Sequence, residues 1–219
     1  IILLRDYGFT PQEYKALKPG DDAMHLLHLD QPILEINITP DRGYAFSYRG
    51  VAREYHHSTG AKFVDPVTEL NKRAPAAPAV ESGVSSDIEV IVDDNNPIHG
   101  VTGCDRYVAR AIHGFDPTNH TPNWMRRRLI RAGMRSISLA VDVTNYVMLD
   151  LGQPMHAYDL DKIEGPIVVR RAAEGEKLTT LDGKEHDLSV EDLLITDSPD
   201  GKRGSRILGI AGVMGGLYG

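Results

Sequence analysis

PIVVRRAAEGEKLTTLDGKEHDLSVEDLLITD, Pro166 to Asp197, is the stretch that decides the fold class. PIVVRRA is an apolar run, KLTTLDGKEHDL is interrupted by Asp182-Gly183, and DLLITD is apolar again. Short β-branched runs bounded by turn residues read as consecutive strands, and Asp-Gly is the two-residue signal that folds the middle run into a hairpin. RILGIAG adds a further strand after SPDGKRGSR, which is expected to be a flexible surface loop, and AGVMGG then brings three glycines together, as a tight strand connection or a close approach to a ligand would require. Strands that follow one another after the helices, instead of alternating with them, predict an α+β fold and not a doubly wound parallel sheet.

Immediately upstream lies VDVTNYVMLDLGQPMHAYD, Val141 to Asp159. Val143, Tyr146, Val147 and Leu151 recur at helical spacing, so a short helix is expected to begin near Asp142 or Val143 and to end at Gly152. That start would put Thr144 and Asn145 in the first turn, where unpaired N–H groups face a ligand or where Asp142 and Thr144 merely cap. His156 follows a Gly-Gln-Pro turn that cannot continue a helix and therefore aims the next side chains. It is either a hydrogen-bonded loop residue or a proton carrier.

Farther upstream, in TPNWMRRRLIRAGMRSI, Thr121 is the expected cap, Pro122 the first helical residue and Gly133 the stop. Trp124, Leu129 and Ala132 fall near one face, and the arginines mostly on the others. DIEVIV and RYVARAI read as strands flanking the turn-rich DDNNPIHG. Residues 65–86, rich in proline, alanine and serine, read as a linker between units 1–64 and 87–219. In the first unit, Ile33 to Ile38 alternates as a half-buried strand, Asp41 is a candidate cap, and a helix is expected over 43–59 with Gly60 ending it.

Composition narrows the class. The chain has 219 residues, 41% apolar and 25% charged, which is ordinary globular composition. No apolar run approaches the ~20 residues of a membrane span. The first residues, lacking methionine and a basic leader, read as the inside of a longer protein. One cysteine, Cys104, excludes an internal disulfide framework, fits a reducing cytosol and reads as a buried apolar residue. A net charge of −7 argues against indiscriminate coating of nucleic acid, yet Arg126, Arg127, Arg128, Arg131 and Arg135 stand together without an acid among them and suit one phosphate backbone. His25 with His28 and His56 with His57 lack a third ligand in a recognised pattern and read as surface histidines. No Gly-x-Ser-x-Gly elbow is present, and AGVMGG is not a phosphate loop.

Together these motifs resemble the β subunit of bacterial phenylalanyl-tRNA synthetase along nearly the whole chain. LEINITPDRGYAFSYRGVARE is similar to that family's strand-to-helix segment, and RYVARAI and TPNWMRRRLIRAGMRSI to the start of its editing domain. VDVTNYVMLDLGQPMHAYD, LDGKE and LGIAGVMGG follow in the family's order. The resemblance implies that residues 1–64 are the closing part of a B1-like unit, and that 87–219 is a mixed α/β B3/B4 domain with β-sandwich-like sheets that hydrolyses tyrosine misattached to phenylalanine tRNA. It further implies that Thr144, Asn145, Pro154 and His156 line the editing pocket, that Arg135 stands at its mouth for the terminal adenosine, and that Gly212 forms part of its wall. His156 and Thr144 would orient the water or ribose hydroxyls, and the helix start would offer donors to oxyanion charge. Arg126, Arg127, Arg128 and Arg131 would contact tRNA. No metal or cofactor is expected for this segment; ATP and magnesium are expected for the full synthetase, with its catalytic α subunit in an α2β2 assembly in the cytoplasm.

Two departures matter. The family continues past MGG into a strand whose Leu-Glu pair supplies the glutamate that recognises the tyrosine hydroxyl, so the parent chain is expected to continue there. Cys104-Asp105-Arg106-Tyr107 stands where relatives often carry Cys-Pro-Arg-Tyr, a change at a strand entry. Editing is needed because an apolar pocket rejects one extra hydroxyl by only about a hundredfold. The alternative from another class is a non-catalytic tRNA-binding or subunit-interaction module.

Overall fold

A computed structural model describes residues 3–7, 9–73, 88–94 and 100–217. Two compact units emerge, each made of two stretches of chain: Ile1–Arg73 with Asp116–Met155, and Ala74–Phe115 with His156–Gly219. The regular structure of the first unit is helical and that of the second is almost all strand, as the α+β reading requires. Among the described residues, no helix is long and apolar enough to cross a membrane.

In the helical unit, α1 (Pro11–Ala16) starts with a complete capping box: Glu13 N–H donates to Thr10 Oγ1, and Thr10 N–H donates to Glu13 Oε2 at 2.6 Å. After α2 (Ala23–Leu26), residues 33–38 do not form the expected strand. Ile33 and Leu34 are 65% and 82% exposed, and no described residue pairs with them. Alternation fits a strand to a half-buried surface, but a strand needs a neighbour to satisfy its backbone. The expected helix also begins later. Pro40–Ala45 is a 3-10 turn, and Ser47 caps α3 (Tyr48–Thr59) by accepting from Gly50 N–H, so Ser47 takes the role assigned to Asp41. Gly60 ends α3 at φ 73° as expected. Arg49 grips Asp65 with two hydrogen bonds, and α4 (Pro66–Arg73) then forms where a linker was expected; residues 74–87 lie outside the described residues.

In α5 (Asn123–Arg131), Pro122 occupies the cap position without a side-chain hydrogen bond, one residue earlier than its expected helical place. Thr121 is not the cap. Its hydroxyl is buried and donates to Asp142 Oδ2 at 2.5 Å, a carboxylate 21 residues away, which no local pattern could announce. Met125 and Leu129 form the buried face, while Trp124, expected near that face, is 52% exposed. The next helix, α6 (Leu139–Leu151), begins at Ser138, whose hydroxyl accepts from Val141 N–H, and ends at Gly152 with φ 81°. Its start is three to four residues earlier than predicted because Asp142 is no cap. Fully buried, it accepts from Thr121, from Ser136 Oγ at 2.5 Å and from Ile137 N–H at 2.9 Å, joining the segment that enters α5, the loop after α5 and α6.

The strand unit carries β1 (Val90–Asp93), β2 (Ile167–Arg171), β5 (Leu193–Asp197), β6 (Arg206–Ile210) and β7 (Met214–Gly215) in one sheet, in the order β1-β2-β5-β6-β7. Only β1 and β2 are parallel. β3 (Lys177–Thr179) and β4 (Glu185–Asp187) form the expected separate hairpin, with Gly183 at φ 79° in the turn. The core gathers Ala172, Leu178, Leu188 and Leu194. Arginine and carboxylate pairs staple the sheet's periphery. Arg171 holds Asp94 at 2.8 and 3.2 Å, Arg206 holds Asp197 at 2.9 and 2.5 Å, and Arg170 holds Glu176 at 2.8 and 2.7 Å.

RYVARAI forms no regular element and pairs with no described strand; Tyr107, Ala109 and Ala111 are half-buried and Val108 and Ile112 exposed, so alternation is kept without a ladder. Part of DDNNPIHG, residues 95–99, lies outside the described residues. SPDGKRGSR is less free than expected. Ser198 is buried, donates to the Pro166 carbonyl and accepts from Gly204 N–H, which ties both ends of the loop to the sheet. Cys104 is half-buried, and burial pushes its thiol pKa up, which disfavours the reactive thiolate.

Candidate functional site

Among the sequence-predicted residues, Arg135, Thr144, Asn145 and Pro154 belong to the helical unit, and His156 and Gly212 to the strand unit. In the helical unit, α6 controls what Thr144 and Asn145 can do. Since α6 starts at Leu139, Asp142 N–H already donates to the Ser138 carbonyl, and both residues lie past the unpaired first turn. The expected oxyanion donors at that helix start are therefore not there. Thr144 keeps a different capacity: its hydroxyl proton goes to the Val141 carbonyl at 2.8 Å, which leaves the oxygen's lone pairs to accept. Asn145 is half-buried and Arg135 and Pro154 are exposed.

The arginines of α5 divide by partner. Arg126 donates to Ser136 at 3.1 Å, Arg127 to His28 at 2.8 Å, Arg128 to the Tyr146 hydroxyl at 2.6 Å, and Arg131 to the side chain of Gln31 and the carbonyls of Gln31 and Pro32. The Arg127 guanidinium also stands over Phe9, 5.2 Å from the ring centre. Much of this cluster's hydrogen bonding is thus spent inside the unit.

In the strand unit, His156 is seated by its neighbours. Its ring lies 4.4 Å from that of Tyr158, whose phenol interacts with that of Tyr107. Burial pushes both phenol pKa values up, so both stay protonated. Burial of part of the imidazole also lowers the His156 pKa below its ordinary value, although the residue as a whole is exposed. At neutral pH the ring is uncharged and has a nitrogen to accept a proton. Opposite it stands Gly215 of β7, where a Cβ would come within 2.8 Å of His156 Cε1 and 3.1 Å of Leu181 Cδ1. Leu181 is placed by its own N–H, which donates to the Gly215 carbonyl.

The glycine beside His156 is therefore Gly215. Gly212, picked from the same AGVMGG motif, lies in the β6–β7 turn at φ 71° with open space where its Cβ would be. Sequence reasoning missed Gly215, Tyr158 and Tyr107. Adjacency in AGVMGG and HAYD was the available signal, but which glycine faces the ring depends on the β6–β7 register.

A family model described as the B3/4 domain matches residues 103–218. Over its full length the chain is 80% identical to the phenylalanine–tRNA ligase β subunit of Bifidobacterium longum, and over 216 residues, 99% of the chain, 52% identical to that of Leifsonia xyli. The corresponding subunit of Streptomyces avermitilis is 49% identical over 208 residues, 95% of the chain. The chain spans about a quarter of the length of these curated relatives, 25%, 23% and 22% respectively.

Proposed function

We infer the function from one premise: the chain belongs to the B3/4 domain family, in the form carried by phenylalanine–tRNA ligase β subunits. We propose that it is the part of such an aminoacyl-tRNA ligase that removes tyrosine from mischarged phenylalanine tRNA, with residues 1–64 closing a B1 domain and 87–219 the editing domain. The observation that carries this reading is the match of the entire chain to β subunits, with the B3/4 model over residues 103–218. Phenylalanine tRNA and a catalytic α subunit in an α2β2 enzyme, with ATP and magnesium for aminoacylation, are the partners and cofactors proposed for the parent. Its proposed location is the cytoplasm.

The reaction is hydrolysis of an ester. Water attacks the tyrosyl carbonyl carbon, the bond to the ribose oxygen breaks, and tyrosine and a free tRNA 3′ end leave. An ester is already activated, so positioning one water contributes most of what is needed. His156, uncharged at neutral pH, accepts or orients the water's proton. Thr144 Oγ1, its own proton engaged by Val141, accepts from a ribose hydroxyl. Arg135 anchors the 3′ end, and Asn145, Pro154 and Gly212 contact the aminoacyl-adenosine. Arg126, Arg127, Arg128 and Arg131 supply positive charge toward the tRNA.

The test is deacylation of tyrosyl-tRNA by the intact synthetase carrying His156→Ala. A loss of about a hundredfold is expected for a general base; an unchanged rate excludes a chemical role for His156. Activity in the 219-residue chain itself would rule out the alternative of a purely binding module.

A further inference from the structure

We propose that Trp124, Arg128 and Tyr146 form a stacking platform for an unpaired nucleobase of an RNA strand. Trp124 is the chain's one tryptophan and is 52% exposed, on a helix whose buried face is supplied by Met125 and Leu129. The indole does not fill the core. Tyr146 of α6 meets it edge to face, with ring centres 5.2 Å apart and planes at 88°. The Arg128 guanidinium stands 5.6 Å from the indole centre and 5.9 Å from that of Tyr146, and donates to the Tyr146 hydroxyl at 2.6 Å. Three side chains are thus held in place before any ligand arrives, so little ordering entropy remains to be lost on binding.

The chemistry of this patch selects the ligand. An open indole face beside a cation suits a planar aromatic ring attached to an anion, which describes a nucleotide. Arg128 and Arg131 give their hydrogen bonds to a phenol, an amide and backbone carbonyls, all neutral acceptors, so their charge is kept for phosphate. In a chain of net charge −7 that positive field is local, which favours one strand at one place over general coating. An apolar protein partner would want a wider uncharged surface than one indole set among arginines. The proposal rests on the tRNA reading above for the choice of RNA, and its test is independent of ester hydrolysis.

Because Trp124 is the only tryptophan, its emission reports the site directly. The 219-residue chain is titrated with a single-stranded RNA hexamer of adenosine and cytidine, and with an abasic hexamer of equal length and charge. Stacking predicts quenching by the first and not by the second. Binding of labelled hexamer, followed by anisotropy, is expected to weaken on the order of tenfold in Trp124→Leu and to survive in Trp124→Phe. Absence of quenching by the adenosine–cytidine hexamer, or equal quenching by the abasic one, overturns the proposal, and the unsubstituted chain decides this even where a variant fails to fold. Quenching retained in His156→Ala together with lost deacylation separates the platform from the editing chemistry.

Discussion

Three glycines of one short motif, Gly212, Gly215 and Gly216, respond to alanine for three different reasons, and the middle one tests the seat of His156. In Gly215→Ala the new methyl would lie 2.8 Å from His156 Cε1 and 3.1 Å from Leu181 Cδ1, where ordinary contact begins at 3.4 Å. The imidazole, already packed 4.4 Å from the ring of Tyr158, is expected to rotate away from the new methyl. Leaving its rotamer costs about 1 kcal/mol, which sets the expected loss of stability. Rotation also returns the ring to water, and since burial is what lowers its pKa, that pKa should rise toward 6.5. A displaced proton carrier loses about ten- to a hundredfold in rate. The assay is the titration of the His156 Cε1–H resonance by NMR, beside urea unfolding and deacylation by the parent synthetase. Gly212→Ala is the control: it strains a left-handed residue by about 1–2 kcal/mol, with open space around the methyl, and should leave the His156 titration untouched. Gly216→Ala meets Leu178 Cδ1 at 2.8 Å and the Leu208 carbonyl at 3.1 Å, both in the core, and should cost about 1–3 kcal/mol. An unmoved resonance and unchanged pKa in Gly215→Ala would refute the proposed seating of His156.

Two further outcomes concern stability. Asp142→Ala strips a buried acceptor from Thr121, Ser136 and Ile137 and should destabilise the helical unit by about 3–5 kcal/mol. Asp142→Asn should cost only about 1–2 kcal/mol, because its amide can donate to the two hydroxyls while its oxygen accepts from Ile137. Urea unfolding read by Trp124 emission measures both, and equal losses would refute the expectation that the amide can take over the carboxylate's three bonds. For the strand unit, the Arg171 guanidinium holds the Asp94 pKa below the ordinary 3.8, and Arg170 likewise lowers Glu176 below 4.5. A depressed carboxylate contributes stability that is full above its unfolded pKa and lost as pH falls through the folded value. Thermal melts should therefore begin to decline below about pH 6.5, where the buried imidazole of His156 resists protonation, and fall more steeply below about pH 5 as these carboxylates protonate, and Arg171→Gln should flatten the lower part of that dependence.

Sequence alone determined whatever closes within a few residues. The β3–β4 hairpin at Asp182-Gly183, the glycine ends of α3 and α6, the capping of their starts in kind if not in residue, and the α+β class all follow from period and turn chemistry. The order of motifs carried the family. Tertiary structure decided everything that needed a distant partner. Ile33 to Ile38 and Arg106 to Ile112 have a strand's alternation, but a strand exists only where another backbone accepts its hydrogen bonds, and none among the described residues does. Thr121 and Asp142 looked like caps because each precedes a helical pattern. Their contact across 21 residues makes both core groups and moves the start of α6 back to Leu139. That shift removes the N–H donors expected at Thr144 and Asn145, while the β6–β7 register puts Gly215 and not Gly212 beside His156. The physical reason is the same each time: a local pattern states what a residue is able to bond, and only the folded chain brings it the partner.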